Sequence, residues 1–251
     1  MWVWKGTPHT EEKLTEKQFK EILSIGGFGV RNTFEFDCKE ITKFWYIIKD
    51  KYSELSDYSG NTRSRIRKSQ DAFSISRISR EMMKEEGYRV YLDAFKQYKV
   101  KEGKLSKEQF ASLMDVPEYE FWGCIYKETG KLEAYMICRQ IGDYCQRVAS
   151  KTNPDYLPKY FPMYGLNHIV QEHYLKERAL RYITNGSRSI TEHSNIQNFL
   201  IEKFNYRKAY CHLKIYYKWY MKIAVAILYP IHKYIPSRSI RSFLEMHGMQ
   251  G

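Results

Sequence analysis

No two of the five cysteines are spaced C-x-x-C, and an odd number cannot close a disulfide framework. Cys38, Cys124, Cys138, Cys145 and Cys211 sit mostly among apolar residues, so they read as buried free thiols of a reducing compartment. None adjoins a histidine in a nucleophile motif, which removes thiol catalysis from the candidate chemistries. No His/Cys/Asp/Glu cluster has metal-ligand spacing, so no metal is expected. An uncharged apolar run of the ~18 residues needed to span a bilayer is also missing. MWVWKGTPHT lacks the apolar core of a secretory leader. These absences predict a cytoplasmic chain that is peripheral to a membrane at most. Internal repeats and low-complexity segments are missing too, which excludes a solenoid and argues against disorder.

What the chain does have is a core and a localised charge. Its 251 residues are 43% hydrophobic and 16% aromatic, enough to bury a substantial interior. The 22 tyrosines suit a core with polar handles or a ligand-contacting surface. The net charge of +12 is confined to two segments: residues 61–80 hold six basic residues against Asp71, and residues 205–251 hold eight against Glu245. Charge concentrated in this way points to an anionic partner, either phosphate, nucleic acid or membrane surface, against the plainer reading of a soluble basic face.

Periodicity then orders the elements. LTEKQFKEIL (14–23) has helical spacing and FGVRNTFEF (28–36) alternates as a strand. KEITKFWYIIKDKY (39–52) has helical period, and DYSGNTRSRIRKSQ (57–70) reads as a turn-rich basic stretch. If 61–68 is extended, Arg63, Arg65 and Arg67 share one face as a phosphate clamp; the alternative is a solvated loop. AFSISRIS (72–79) is a strand and residues 80–98 a long helix. Residues 104–115 open with a capping box, Ser106 three before Gln109.

From there the pattern changes to strands 119–140 with a turn at Gly130, strand 143–150, helix 166–179 after a three-proline connection, and a short strand to Asn185. Helix 194–205 and strand 207–219 close the run. This order defines an α/β class, a mixed sheet with helices packed on it. We divide the single domain into an N-terminal part (1–115), a core (116–220) and a basic amphipathic tail (221–251). The tail either packs on the domain as a final helix or lies at a membrane surface, with Pro230 and Pro236 breaking any long helix.

The hairpin with Gly130, its following apolar strand, and SNIQNFLIEKFNYRKA resemble the GNAT acyltransferase superfamily. Its late helix is commonly written N-x-x-A-x-x-x-Y-E-K-x-G-F; here Glu202-Lys203 match E-K, and Asn205-Tyr206 fall where Gly-Phe would stand. The first half is similar to Fem-type aminoacyltransferases, which carry a comparable R-x-R-x-x-K segment before a strand and a long helix. The resemblance, over roughly residues 28–219, implies a GNAT-like mixed β-sheet flanked by helices, with N-terminal helical additions and a basic C-terminal helical tail. It also implies transfer of an acyl group, from acyl-coenzyme A or aminoacyl-tRNA, to an amine or hydroxyl of a small-molecule, glycan, peptidoglycan-type or lipid-linked acceptor. Two positions depart from the pattern. Ile201 stands where the usual general-acid tyrosine would precede E-K, and LPKYFPMYG offers only Gly165 in place of the glycine-rich pyrophosphate loop.

The candidate site follows. The strand ending at Asn185 would splay from strand 143–150 and deliver Gly186, Ser187 and Arg188 to a cleft. His193 is the candidate base, with Arg188, Asn195 and the backbone after Gly186 as anion or oxyanion donors. The competing reading has Ser194 capping the helix and His193 in a solvated loop. Tyr164, Gly165 and His168 lie where a donor pyrophosphate would dock, although His168 also fits a core position. The rival function is a non-catalytic module of the same fold that holds RNA or an anionic membrane surface.

Overall fold

In a computed structural model, the structure describes residues 2–3, 8–10, 15–97, 103–190 and 195–250. The strands are β1 (Trp2–Val3), β2 (Gly29–Phe34), β3 (Phe44–Lys49), β4 (Phe73–Ile78), β5 (Tyr119–Tyr126), β6 (Leu132–Ile141), β7 (Tyr144–Thr152), β8 (Tyr182–Ser187) and β9 (Arg207–Tyr217). The helices are α1 (Glu16–Ile25), α2 (Gly60–Ala72), α3 (Arg80–Phe95), α4 (Lys107–Leu113), α5 (Leu157–Tyr160), α6 (Pro162–Gln171), α7 (Ile196–Phe204), α8 (Trp219–Leu228) and α9 (Arg238–His247). They form two compact units, one of Met1–Ile47, Ser187–Gln197 and Arg207–Gly251, the other of Ile48–Gly186 and Asn198–Tyr206.

The larger unit is built on a mixed sheet in the order β8-β7-β6-β5-β4, antiparallel except for the β7/β8 pair. Both faces are covered, which is why β6 reads as the nearly unbroken apolar run LEAYMIC. Alternate residues Ala134, Met136 and Cys138 face α6, packing with Leu166, Val170 and Tyr174. Leu132, Tyr135 and Ile137 meet Met83 and Val90 of α3 and Phe110 of α4. The smaller unit pairs β2 antiparallel with β9 and parallel with β1. Phe19 and Leu23 of α1 pack on Val30, while Met246 of α9 packs with Phe44, Cys211, Leu213 and Ile215.

Three elements differ from the sequence reading, the first being α6, which begins at Pro162 inside the expected irregular connection and gives way to a π-helical turn over Glu172–Glu177. Residues 44–49 form a strand where helical period was expected over 39–52. Ile41, Phe44, Trp45 and Ile48 mimic i, i+3, i+4, i+7 spacing, but FWYIIK is aromatic and β-branched, and such runs suit a strand buried on both faces. The basic stretch is helical: Ser59 accepts a hydrogen bond from the Thr62 N–H, and Thr62, Ile66 and Ser69 form the buried stripe of α2. Helical backbone turns Arg65 away from the face shared by Arg63 and Arg67, so the three do not line up as the extended phosphate clamp. Arg63 instead donates to the carbonyls of Ser56 and Tyr58.

Candidate functional site

The parallel ladder between β7 and β8 lasts three pairs, Tyr144↔Tyr182, Cys145↔Ile183 and Gln146↔Thr184. Beyond them β7 continues to Thr152 with no β8 partner in the ladder. The cause lies on the other edge of β7. Its register with β6 shifts between Ile137 and Cys138, whose partners are Ala149 and Arg147, so Val148 is an extra residue. A bulge bends and twists its strand. This one falls two residues beyond Gln146, the last residue paired with β8, and so coincides with the end of the parallel ladder. The divergence leaves a backbone edge against which an extended ligand could lie.

Arg147 stands at the point of divergence. Its side chain shares the face of Cys145 and is 6% exposed. All three guanidinium nitrogens are buried without a hydrogen bond. Tyr206, two residues after α7, is its polar neighbour, near enough to act on it by charge and as a weak hydrogen-bonding contact. Burial pushes the Tyr206 phenol up to about 12, with Arg147 opposing the rise. An interior cation without a paired anion costs several kcal/mol.

More polar groups are buried in the same unit. Lys49 donates to Ser53 Oγ at 2.8 Å and to the Phe204 carbonyl at 2.9 Å, and burial lowers its pKa to about 8. Gln171 donates to the Tyr58 hydroxyl and lies 3.4 Å from His168 Nδ1. Burial lowers the His168 pKa from 6.5 against the pull of Glu172 and Glu54, with Lys176 and Lys49 reinforcing the fall. A depressed histidine contributes stability that is complete above its unfolded pKa and is lost as pH falls through the folded one. The urea midpoint therefore drops as pH falls below the ordinary histidine value of about 6.5, and His168→Gln flattens that part of the profile.

At the start of α6, Arg65 Nη1 donates to the Tyr164 hydroxyl at 2.7 Å. Its guanidinium lies 4.7 Å from the Phe161 ring centre and 5.3 Å from that of Tyr164. Gly165 is where α6 meets α2 and β4: a Cβ there would stand 2.5 Å from Ile75 Cδ1 and Ser69 Oγ, and 2.9 Å from Ser69 Cβ. Gly165→Ala is accordingly expected to destabilise by about 1–3 kcal/mol through overpacking, seen as a lower denaturation midpoint. Beside this helix start lies an open basin of about 430 Å³, lined by Lys68, Lys127, Lys159, Tyr126, Tyr160 and Glu128 among others. Tyr126 donates to the Tyr160 oxygen at 3.0 Å, and Lys159 lowers the Tyr160 pKa.

The sequence-chosen residues divide between the two units. Tyr164, Gly165 and His168 lie together on α6 and are buried. Gly186 ends the larger unit's part of β8 with φ +83°, its N–H donating to Thr184 Oγ1 at 3.0 Å. In the smaller unit, Arg188 is anchored by backbone: Nη1 donates to the Lys43 carbonyl at 2.6 Å and its N–H to the Trp45 carbonyl at 2.7 Å. Asn195 is exposed in the turn before α7, and His193 and Ser194 lie outside the described residues. Sequence reading missed Arg147 and the lysine basin. Strand parity was the signal for Arg147, since CQRVAS puts it on the face of buried Cys145. Asn205, at the motif's glycine position, has φ +55°, the left-handed geometry that position calls for.

A mixed sheet flanked by helices, with two parallel strands diverging near a bulge, is a GNAT-like α/β fold. No family model and no curated sequence matches the chain. Among solved structures, it is similar to the C-terminal domain of a proposed lysylphosphatidylglycerol synthetase from Agrobacterium fabrum. That match has TM-score 0.52 and 11% identity, over 79% of this chain and 71% of that one. FemX aligns at TM-score 0.49 and 9% identity over 80% and 68% of the two chains. L-PGS from Bacillus licheniformis aligns at 0.47 and 12% over 89% and 72%. At these identities the likeness is one of fold.

Proposed function

We propose that the chain transfers an acyl or aminoacyl group from a phosphate-bearing donor to an amine or hydroxyl of a glycan, peptidoglycan-type or lipid-linked acceptor. Arg147 carries the reading. A buried guanidinium with no paired anion among the described residues and only the Tyr206 phenol as polar neighbour, beside the gap between β7 and β8, is suited to receive an anionic or developing anionic group. The name of the Agrobacterium fabrum relative, which joins lysyl to phosphatidylglycerol, agrees with an aminoacyl donor and a lipid acceptor.

Backbone capture of a donor pyrophosphate at the α6 N-terminus fits poorly. α6 opens with Pro162, which has no N–H, and the missing Cβ of Gly165 makes room for Ser69 and Ile75. Side-chain cations suit the donor better: Arg65 at the helix start and Lys68, Lys127 and Lys159 at the basin. Acyl-coenzyme A and aminoacyl-tRNA both present such phosphates. Holding donor and acceptor in one cleft supplies much of the rate. We assign the proton-accepting role to His193 on sequence grounds, so His193→Ala lowers turnover by about 10²–10⁴-fold while melting like the parent.

Thermal unfolding with acetyl-coenzyme A, longer acyl-coenzyme A species and aminoacyl-tRNA tests the reading. A donor at 100 times its dissociation constant adds about 2.7 kcal/mol, a clear rise in melting temperature. Failure of every donor to shift the transition would overturn the transfer reading in favour of a binding module.

A further inference from the structure

The C-terminal segment of the smaller unit is broken as its prolines require. α8 gives way to a 3-10 turn over Tyr229–Tyr234 that contains Pro230, and α9 begins after Pro236. The two helices use their apolar residues differently. α9 buries Leu244 and Met246, the latter against Cys211, Leu213 and Ile215. α8, WYMKIAVAIL, buries only Val225. Trp219 (76% exposed), Ile223 and Ile227 (65%) fall at i, i+4 and i+8, one helical face, and Ile231 and Tyr234 (86%) extend the apolar surface into the turn. A contiguous apolar surface of this kind marks an interaction site.

Its surroundings select the partner. Lys218, Lys222, Lys233, Arg238 and Arg241 flank the apolar residues, and no acidic residue occurs between Glu202 and Glu245. A second copy docked by the same patch would set lysine against lysine across a two-fold axis, which is unfavourable. Tryptophan and tyrosine with isoleucine on one side and lysines at the rim is the composition of a helix that lies in a bilayer interface. Among the described residues no helix is long and apolar enough to cross a membrane, which leaves docking in the interface plane.

We propose that the exposed face of α8 and the turn after it docks on an anionic lipid bilayer, with Trp219, Ile223, Ile227, Ile231 and Tyr234 entering the boundary between headgroups and acyl chains. Lys218, Lys222, Lys233 and Arg238 hold the headgroups. The surface is independent of the β7/β8 gap, so it stands or falls apart from the transfer reading.

Co-sedimentation of the full chain with phosphatidylcholine vesicles, with and without phosphatidylglycerol, tests this. The parent binds the anionic vesicles and releases them at high salt. The triple variant Trp219→Ser, Ile223→Ser, Ile227→Ser loses at least about tenfold in vesicle affinity, and Lys222→Glu with Lys233→Glu does the same. Because these side chains are exposed, both variants unfold at the parent's temperature. No binding by the parent, equal binding by the triple variant, or a concentration-dependent dimer that the triple variant abolishes would each overturn the proposal.

Discussion

Arg147→Met is expected to melt at a higher temperature than the parent while losing about 10²-fold or more of its transfer rate. The two effects have one cause. In the parent, an interior guanidinium has no acceptor for any of its nitrogens. Replacing a buried charge by an apolar side chain of similar length removes that desolvation cost and is stabilising by about 1–4 kcal/mol in comparable cases. In a chain of this size each kcal/mol moves the transition by about 2–4 °C. The same group is the candidate counter-charge for the ligand, and deleting one such donor typically costs about 10²–10³ in rate. A more stable, inactive variant is the mark of a residue kept for function. Differential scanning calorimetry and an acyl-transfer assay on one preparation check both halves. A variant that is both less stable and fully active would make Arg147 an ordinary structural residue.

Arg89→Ala has the largest expected effect on stability. Glu133 is buried, and its Oε2 accepts from Arg89 Nη1 at 3.1 Å and from Asn153 Nδ2 at 2.8 Å. Arg89 also donates to the Leu132 carbonyl and lies 3.5 Å from Asp93. Losing the arginine strands a carboxylate between α3 and β6 with one neutral partner. Breaking a buried ion pair costs about 3–5 kcal/mol, and because the Arg89 side chain is 37% exposed, about 3 kcal/mol is expected. The penalty belongs to the charged carboxylate. In a Glu133→Gln background, where that charge is absent, Arg89→Ala is therefore expected to cost clearly less than in the parent, as read from urea midpoints. An equal cost in both backgrounds would assign the loss to packing of the arginine stem.

Much of the larger unit is legible in one dimension because its signals are local. Gly130, with φ +68°, closes a hairpin between two strand-forming runs, and Ser106 and Gln109 cap each other as their spacing requires. Elements governed by tertiary burial are less so. FWYIIK carries a false helical period since both strand faces are apolar, and the helix Gly60–Ala72 is disguised by Gly60, Asn61 and four basic residues. The candidate site divides in the same way. The divergence of the parallel strands followed from element order and resemblance, whereas α6 starts at Pro162, four residues before the expected helix 166–179, because a proline is tolerated in a first helical turn. Arg147 required knowledge of which face of β7 is dry, and the bulge at Val148 follows from register with β6, a relation between distant segments. The basin drew Lys68, Lys127 and Lys159 from three separate elements, so no single stretch announced it.

The central claim is that a donor occupies the gap between β7 and β8 and meets Arg147. Hydrogen–deuterium exchange of the full chain, with and without the donor that raises its melting temperature, tests the claim most directly. The account predicts slowed exchange at the backbone amides of residues 147–152 and 185–186, and no such protection in Arg147→Met at the same donor concentration. Donor binding that leaves those amides unchanged, or protects them equally in the variant, would contradict it.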